Sequence, residues 1–244
     1  MAPSGTVRGM PATEHDLQRM HRAVALARKG RFSVEPNPVV GAIVEGADGI
    51  VGEGWHKGYG GPHAEIEALR IAGDKARDAT LYVTLEPCSH DGKTPPCIDA
   101  VIEAGISRLV YGMVDPNPIV AGRGVTKLRS AGLEVVGPIL TDVTGPLIAR
   151  FEASLKRVRP WVVAKWAMSL DGAIAPAPGK GGAISGRRAA LITHELRGRC
   201  DAVAVGIGTV LADDPQLTCR LADGVPDGRP QPTRVVFDEN LQLP

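Results

Sequence analysis

The chain has 244 residues, enough for one large domain or two small ones, and a formal net charge of +1. That balance lacks the basic excess of a protein held to nucleic acid through phosphates, and three each of Phe, Trp and Tyr make no base-stacking platform. With 43% hydrophobic and 23% charged residues, the composition supports a packed core and excludes global disorder. No apolar run approaches the ~20 residues that span a bilayer. Met1 to Pro11 carries no hydrophobic signal segment, so the chain reads as cytoplasmic. Four cysteines make no disulfide framework, and Cys88, Cys97, Cys200 and Cys219 read as thiols, thiolates or metal ligands.

In chain order, Thr13 is a candidate N-cap for a helix with Leu17, Met20, Val24 and Ala27 on one face and Gly30 as its stop. Pro36-Asn37-Pro38 excludes helix and predicts a loop. Val39–Glu45 and Ile50–Trp55 read as strands joined by a turn at Gly46–Gly49. A helix over His63–Gly73, a strand over Thr80–Leu85 and a helix over Cys97–Gly105 follow. Next come a strand at Arg108–Met113, a helix at Gly124–Ala131 and a strand at Glu134–Val136. This alternation predicts a three-layer α/β domain over residues 13–145 with a largely parallel sheet. Residues 146–160 form the connection, with a helix over Asp142–Arg157 and a seam at Arg159-Pro160. In residues 161–244 the alternation restarts: strand Trp161–Ala167, helix Arg187–Arg199, strands Ala202–Gly206 and Thr233–Asp238. Three strands and one long helix are small for a closed core, so this second α/β domain is expected to be incomplete.

The strongest chemical signal is His63-Ala64-Glu65, followed by Pro87-Cys88 and Cys97. An imidazole and two thiolates suit Zn²⁺ and leave a fourth position open for water. Zinc lowers the pKa of such a water toward ~7 and so supplies hydroxide at neutral pH. Glu65 is then the shuttle that carries a proton to a leaving amine. His-x-Glu…Pro-Cys…Cys is the order of the zinc nucleobase deaminases, although eight residues separate the cysteines here instead of two. A closed site with His90 as fourth ligand is the competing reading, and it leaves Glu65 without a task. His15, His21 and His194 read as surface or packing residues, and Cys200 and Cys219 as ordinary thiols.

Across Thr84–Cys97, Thr-Leu-Glu-Pro-Cys-Ser-His-Asp-Gly-Lys-Thr-Pro-Pro-Cys, the chain resembles the bifunctional deaminase/reductase family of riboflavin biosynthesis. Pro36–Pro38, Gly61–Glu65 and Asp115–Gly124 match the same family, and the resemblance runs over about residues 15–240. It implies a cytidine-deaminase-like first domain acting on 2,5-diamino-6-ribosylamino-4(3H)-pyrimidinone 5′-phosphate. On that resemblance, His63, Cys88 and Cys97 hold zinc and Glu65 is the general acid/base. Asn37, His56, Lys93, Asp115 and Asn117 become substrate contacts, Lys93 suiting the ribose phosphate. Lys165–Gly172, Gly206–Val210 and Asp213–Arg220 resemble the family's dihydrofolate-reductase-like NADPH domain. Ala167, Thr209 and Asp213 would then face NADPH, and Arg197, Leu217 and Arg220 the sugar phosphate.

Two departures bear on the reductase. Gly181-Gly182-Ala183-Ile184-Ser185 stands where the family usually carries Ser-x-Trp-Ile-Ser/Thr. The sequence also stops before the family's later glycine-rich, glutamate-containing motif. The expectation is a chain that deaminates but reduces poorly, its open second domain borrowing a missing half from another copy (a homo-oligomer) or a separately encoded piece. The rivals are a zinc deaminase of another nucleobase, nucleoside or tRNA, and a zinc-stabilised module without activity. Near-neutral charge disfavours tRNA, and the long Lys93 loop favours a small phosphorylated substrate without nucleic acid or membrane.

Overall fold

The computed structural model describes residues 11–31, 33–90, 95–118, 120–156, 159–175, 177, 182–221 and 231–243. The chain divides into two compact units, Met1–Trp161 and Val162–Pro244.

The first unit opens with α1 (Glu14–Ala27), whose start is fixed by a reciprocal cap. The Asp16 amide donates to Thr13 Oγ1 at 3.2 Å, and the Thr13 amide donates to Asp16 Oδ2 at 2.8 Å. Two antiparallel strands, β1 (Gly41–Gly46) and β2 (Gly49–Trp55), follow as a hairpin turning at Gly49, which has φ +113°. Then come α2 (Ala64–Ala72), β3 (Thr80–Val83), α3 (Cys97–Glu103), β4 (Arg108–Tyr111), α4 (Arg123–Ser130), β5 (Glu134–Val136) and α5 (Thr141–Lys156).

The sheet order is β2-β1-β3-β4-β5. β1 runs antiparallel to both β2 and β3, whereas β3, β4 and β5 are mutually parallel. The expectation of a largely parallel sheet is therefore corrected to a mixed one. A tight hairpin can only join antiparallel strands, and β1, set between β2 and β3, runs against both.

Side-chain alternation divides the sheet between two apolar layers. Ile43, Tyr82, Val110 and Val136 point to the layer holding Met20, Ala23 and Leu26 of α1. Ala42, Val44, Leu81, Val83, Leu109 and Val135 point to the other, with Ala64, Ala68, Ile98, Val101 and Leu128 of α2, α3 and α4. The result is helix, sheet, helix.

Two contacts set the depth of these layers. A Cβ on Gly41 would lie 2.2 Å from the Ala23 carbonyl oxygen, so α1 rides directly on β1. A Cβ on Gly52 or Gly54 would lie 2.2 Å or 2.4 Å from the carbonyls of Ala68 and Ala64, so α2 sits backbone-close on β2.

A buried polar knot ties α1 to the sheet. Asp16 is 1% exposed and accepts from Arg108 Nη1 at 2.7 Å, Arg108 Nη2 at 3.0 Å and the Tyr82 hydroxyl at 3.2 Å. Burial pushes the Asp16 carboxyl up, but the bonds from Arg108 and Thr13 outweigh it and hold it well below the carboxylate range. A charge buried in this way is tolerated because it is paired and hydrogen-bonded.

The second unit contains α6 (Arg187–Gly198), β6 (Ala202–Gly206), α7 (Ile207–Asp213) and β7 (Thr233–Phe237), with β6 and β7 paired in parallel. Helix α7 adds an element to those expected and carries most of the Gly206–Val210 motif on its first turn. The strand expected at Trp161–Ala167 is corrected: these residues pair with no strand among the described residues. A strand exists only through a hydrogen-bonded neighbour, and here Val162 is 80% and Trp166 68% exposed. Among the described residues, this unit buries the apolar side chains of Leu217, Cys219 and Pro232. No helix among the described residues is long and apolar enough to cross a membrane.

Candidate functional site

The site forms where β3 and β4 end and α2 and α3 begin. His63 is the N-cap of α2, with extended backbone (φ −73°, ψ 165°), so its ring leaves the helix axis while Glu65 follows inside the first turn. Pro62 before it and the glycines of Gly58-Tyr59-Gly60-Gly61 keep the helix from starting earlier. Cys88 lies just beyond β3, and Cys97 is the first residue of α3, after Pro96. Pro suits that position because it needs no N–H there.

The three residues converge. One donor atom each from His63, Cys88 and Cys97 lies within 4.8 Å of the others. His63 Nδ1 is 3.1 Å from Cys97 Sγ and 3.6 Å from Cys88 Sγ, and the Cys97 amide donates to Cys88 Sγ at 3.3 Å. Ligands of one tetrahedral zinc, at ~2.0–2.3 Å from the ion, stand roughly 3.3–3.8 Å apart. Donor type and spacing therefore fit zinc. The bond from Cys97 and the imidazole of His63 draw the Cys88 thiol down, while its thiolate neighbour and burial push Cys97 up. Its bond with Cys88 raises His63.

Glu65 is 3% exposed beside this cluster. Burial raises its carboxyl to about 7, against the opposing pull of His63. A carboxyl near neutrality can both take and give a proton at working pH.

A cavity of about 220 Å³ opens over the cluster, lined by Asn37, His56, His63, Glu65, Cys88, His90, Asp115 and Asn117 among others. His56 is held in one tautomer. Its Nδ1 lies 2.9 Å from the Pro62 carbonyl, which can only accept, so Nδ1 carries the proton. Nε2 then accepts from the Asn37 amide at 3.2 Å. Burial lowers the His56 pKa and favours this neutral form. Asp115, also buried, accepts the Asn117 amide at 2.8 Å, and burial raises its carboxyl to about 6.

Of the residues singled out in the first unit, Asn37, His56, Asp115 and Asn117 thus share one cavity with His63, Glu65 and Cys88, and Cys97 lies buried behind them. Lys93 lies outside the described residues. His90 lines the cavity but stands outside the cluster of mutually close donor atoms.

In the second unit, Arg197 donates to the Thr218 carbonyl at 3.2 Å, and Arg220 donates to Gln216 Oε1 at 3.1 Å and Thr218 Oγ1 at 2.9 Å. Burial and the neighbouring Arg220 charge lower the pKa of Arg197. Leu217 between these anchors is buried with φ +55°. Ala167 is half-buried, and Thr209 and Asp213 are exposed. His15 Nε2 donates to Glu45 Oε2 at 2.7 Å on the surface, and the His194 ring accepts the Arg220 amide at 3.1 Å.

Sequence reasoning missed Glu86. It sits inside the Thr84–Cys88 motif, is 2% exposed, and accepts three backbone amides from a different part of the chain. A glutamate between apolar residues and a proline at a strand exit was the available signal.

The layers and the cluster define a zinc-binding, cytidine-deaminase-like domain joined to a second α/β unit. The family described as "Cytidine and deoxycytidylate deaminase zinc-binding region" matches residues 13–113, and the "RibD C-terminal domain" family matches residues 160–244. The riboflavin biosynthesis protein RibD of Aquifex aeolicus is 45% identical over 95% of this chain and 64% of its own length. RibD of Acinetobacter baumannii superposes with TM-score 0.82 at 42% identity, covering 95% of this chain and 65% of that one. A Thermotoga maritima structure titled as a diaminohydroxyphosphoribosylaminopyrimidine deaminase/5-amino-6-(5-phosphoribosylamino)uracil reductase gives 0.82 at 44%, covering 93% and 65%. The chain belongs to the RibD family of riboflavin biosynthesis proteins. It spans a little under two thirds of the length of these relatives.

Proposed function

We propose that residues 13–145 form a zinc-dependent deaminase that replaces the ring amine of 2,5-diamino-6-ribosylamino-4(3H)-pyrimidinone 5′-phosphate by oxygen, releasing ammonia. The observation that carries this reading is the convergence of His63, Cys88 and Cys97 beside the buried carboxyl of Glu65 at the floor of a cavity.

His63, Cys88 and Cys97 would hold the ion, and zinc when bound supplies Lewis acidity that makes water a nucleophile at neutral pH. The chain's own residues do the rest. Water oxygen bonds to the amine-bearing ring carbon, the carbon–nitrogen bond breaks, and ammonia leaves. Glu65 accepts the water proton and returns a proton to the departing nitrogen, a task matched to its raised carboxyl. His56, fixed by Pro62 and Asn37, offers a neutral polar edge to the ring, while Asp115 and Asn117 orient it from the opposite loop. Lys93 is the proposed partner of the phosphate.

For residues 160–244 we propose an NADPH-linked reductase region. Arg197 and Arg220, both anchored on residues 216–218, make a cationic site for the sugar phosphate beside Leu217. Ala167, Thr209 and Asp213 would face NADPH. Because Thr209 and Asp213 stand in solvent, reductase turnover by this unit alone is expected to be weak. Cytoplasmic location and a homo-oligomer remain part of the same reading.

The test is ammonia release from the diaminopyrimidine phosphate, with zinc measured on the same sample and cytidine and a tRNA hairpin run as alternatives. Turnover on the phosphate alone supports the proposal. Turnover confined to cytidine or tRNA, or zinc-loaded protein inert on all three, overturns it. Adding deaminated product and NADPH and following absorbance tests the reductase, and turnover equal to the deaminase step would refute the weak-reductase expectation.

A further inference from the structure

Beside the site, the mechanism leaves the buried carboxyl of Glu86 unused. Glu86 Oε2 accepts the Gly122 amide at 2.8 Å and the Asp115 amide at 3.3 Å, and Glu86 Oε1 accepts the Val125 amide at 3.2 Å. Gly122 is the N-cap of α4, left-handed at φ +76°, with no side chain to cap its own helix. Val125 is the third residue of that helix. Glu86 therefore supplies from the β3 exit the cap that α4 lacks, and an anion is favoured at this end of a helix.

The same carboxylate holds Asp115 at the start of the loop, so it grips both ends of residues 115–125. Backbone contacts place this clamp beside the metal cluster. The Glu86 amide donates to the Met113 carbonyl at 2.8 Å, and a Cβ on Gly124 would lie 2.2 Å from the Pro87 carbonyl oxygen. Two residues after Glu86 comes Cys88. One short segment thus carries a metal ligand and, through Glu86, fixes the opposite wall of the cavity where Asp115 and Asn117 stand.

We infer that Glu86 is a positioning residue that sets Asp115 and Asn117 at the right distance from the cluster for substrate binding. The inference rests on the deaminase reading for its substrate, but the clamp itself is tested independently. A carboxylate is required because three donors converge on two oxygens. An amide would turn its NH₂ toward at least one backbone N–H.

The experiment compares full-length wild type, Glu86→Gln and Glu86→Asp, each loaded with zinc. Steady-state kinetics on the diaminopyrimidine phosphate, zinc stoichiometry and amide hydrogen exchange across residues 113–126 are measured on the same preparations. Glu86→Gln is expected to keep one zinc per chain and a kcat within about threefold of wild type. Its KM should rise roughly tenfold, the size of one lost orienting contact. Exchange at Asp115, Gly122 and Val125 should quicken while α2 stays protected. Glu86→Asp, with the charge but a shorter reach, should fall between.

Unchanged KM and unchanged exchange overturn the inference, as does loss of folded protein or of zinc in both variants, which would make Glu86 a stability residue only. If wild type itself is inert on this substrate, the functional reading fails separately. Exchange then decides the clamp: faster exchange at those three amides sustains it, and unaltered exchange removes it.

Discussion

The two units of this chain spend similar sequence patterns differently. In the first, every strand of the parallel half has a neighbour, and alternate side chains enter one apolar layer or the other. In the second, β6 and β7 pair only with each other among the described residues, and Val162, Trp166, Leu170 and Phe237 face solvent. Alternating apolar residues thus announce a strand, but a parallel pair of strands builds a core only when both its faces are covered. The first unit meets that condition, and its site gains precision from it. Each chemically active side chain there stands at the end of a buried element.

The largest effect that could break this contrast is on chemistry. Glu65→Gln should lower deaminase turnover by about 10³-fold, in the range of general acid/base contributions, while zinc content stays at that of wild type. Chelating the metal should abolish turnover and lower the thermal midpoint of the first unit, and adding zinc back should restore both. Retained turnover in either case would remove the site from consideration.

Next come the cores. Leu109→Ala, at the centre of the first unit, should cost ~2–5 kcal/mol in chemical denaturation. Asp16→Asn should cost about 3 kcal/mol, the low end for a broken buried pair, because Arg108 keeps partial access to water. Since the folded Asp16 carboxyl lies below its unfolded value, its contribution is present above about pH 4. It is lost as pH falls toward the folded value, so the Asn variant should close the gap with wild type in acid. A constant gap at every pH would contradict the Asp16–Arg108 account. The smallest effect belongs to the second unit: Trp166→Ser should change stability by no more than ~0.5 kcal/mol. A large loss there would show that its exposed face is covered in solution.

Much of this was legible in the residues. Thr13 and the apolar face behind it marked the first helix, and the residue types and order of His63, Glu65, Cys88 and Cys97 marked the cluster. What was not legible depends on distant partners. The donors to Glu86 lie 29, 36 and 39 residues downstream, so nothing local showed what its carboxylate would hold. Asp16 carried no local mark, because its bond to Arg108 spans 92 residues. Sheet direction is not carried by the strand–helix alternation: β1 sits between β2 and β3 and runs against both. Trp161–Ala167 has strand composition without a neighbour to pair with, and composition cannot supply one.

The glycines of β2 have a practical consequence. Replacing Gly52 or Gly54 with a residue of higher strand propensity looks like an easy stabilisation, yet it would lever α2 outward by its first added carbon. His63 and Glu65 ride on the leading end of that helix, so thermostability engineering of the hairpin would be bought directly with catalytic alignment.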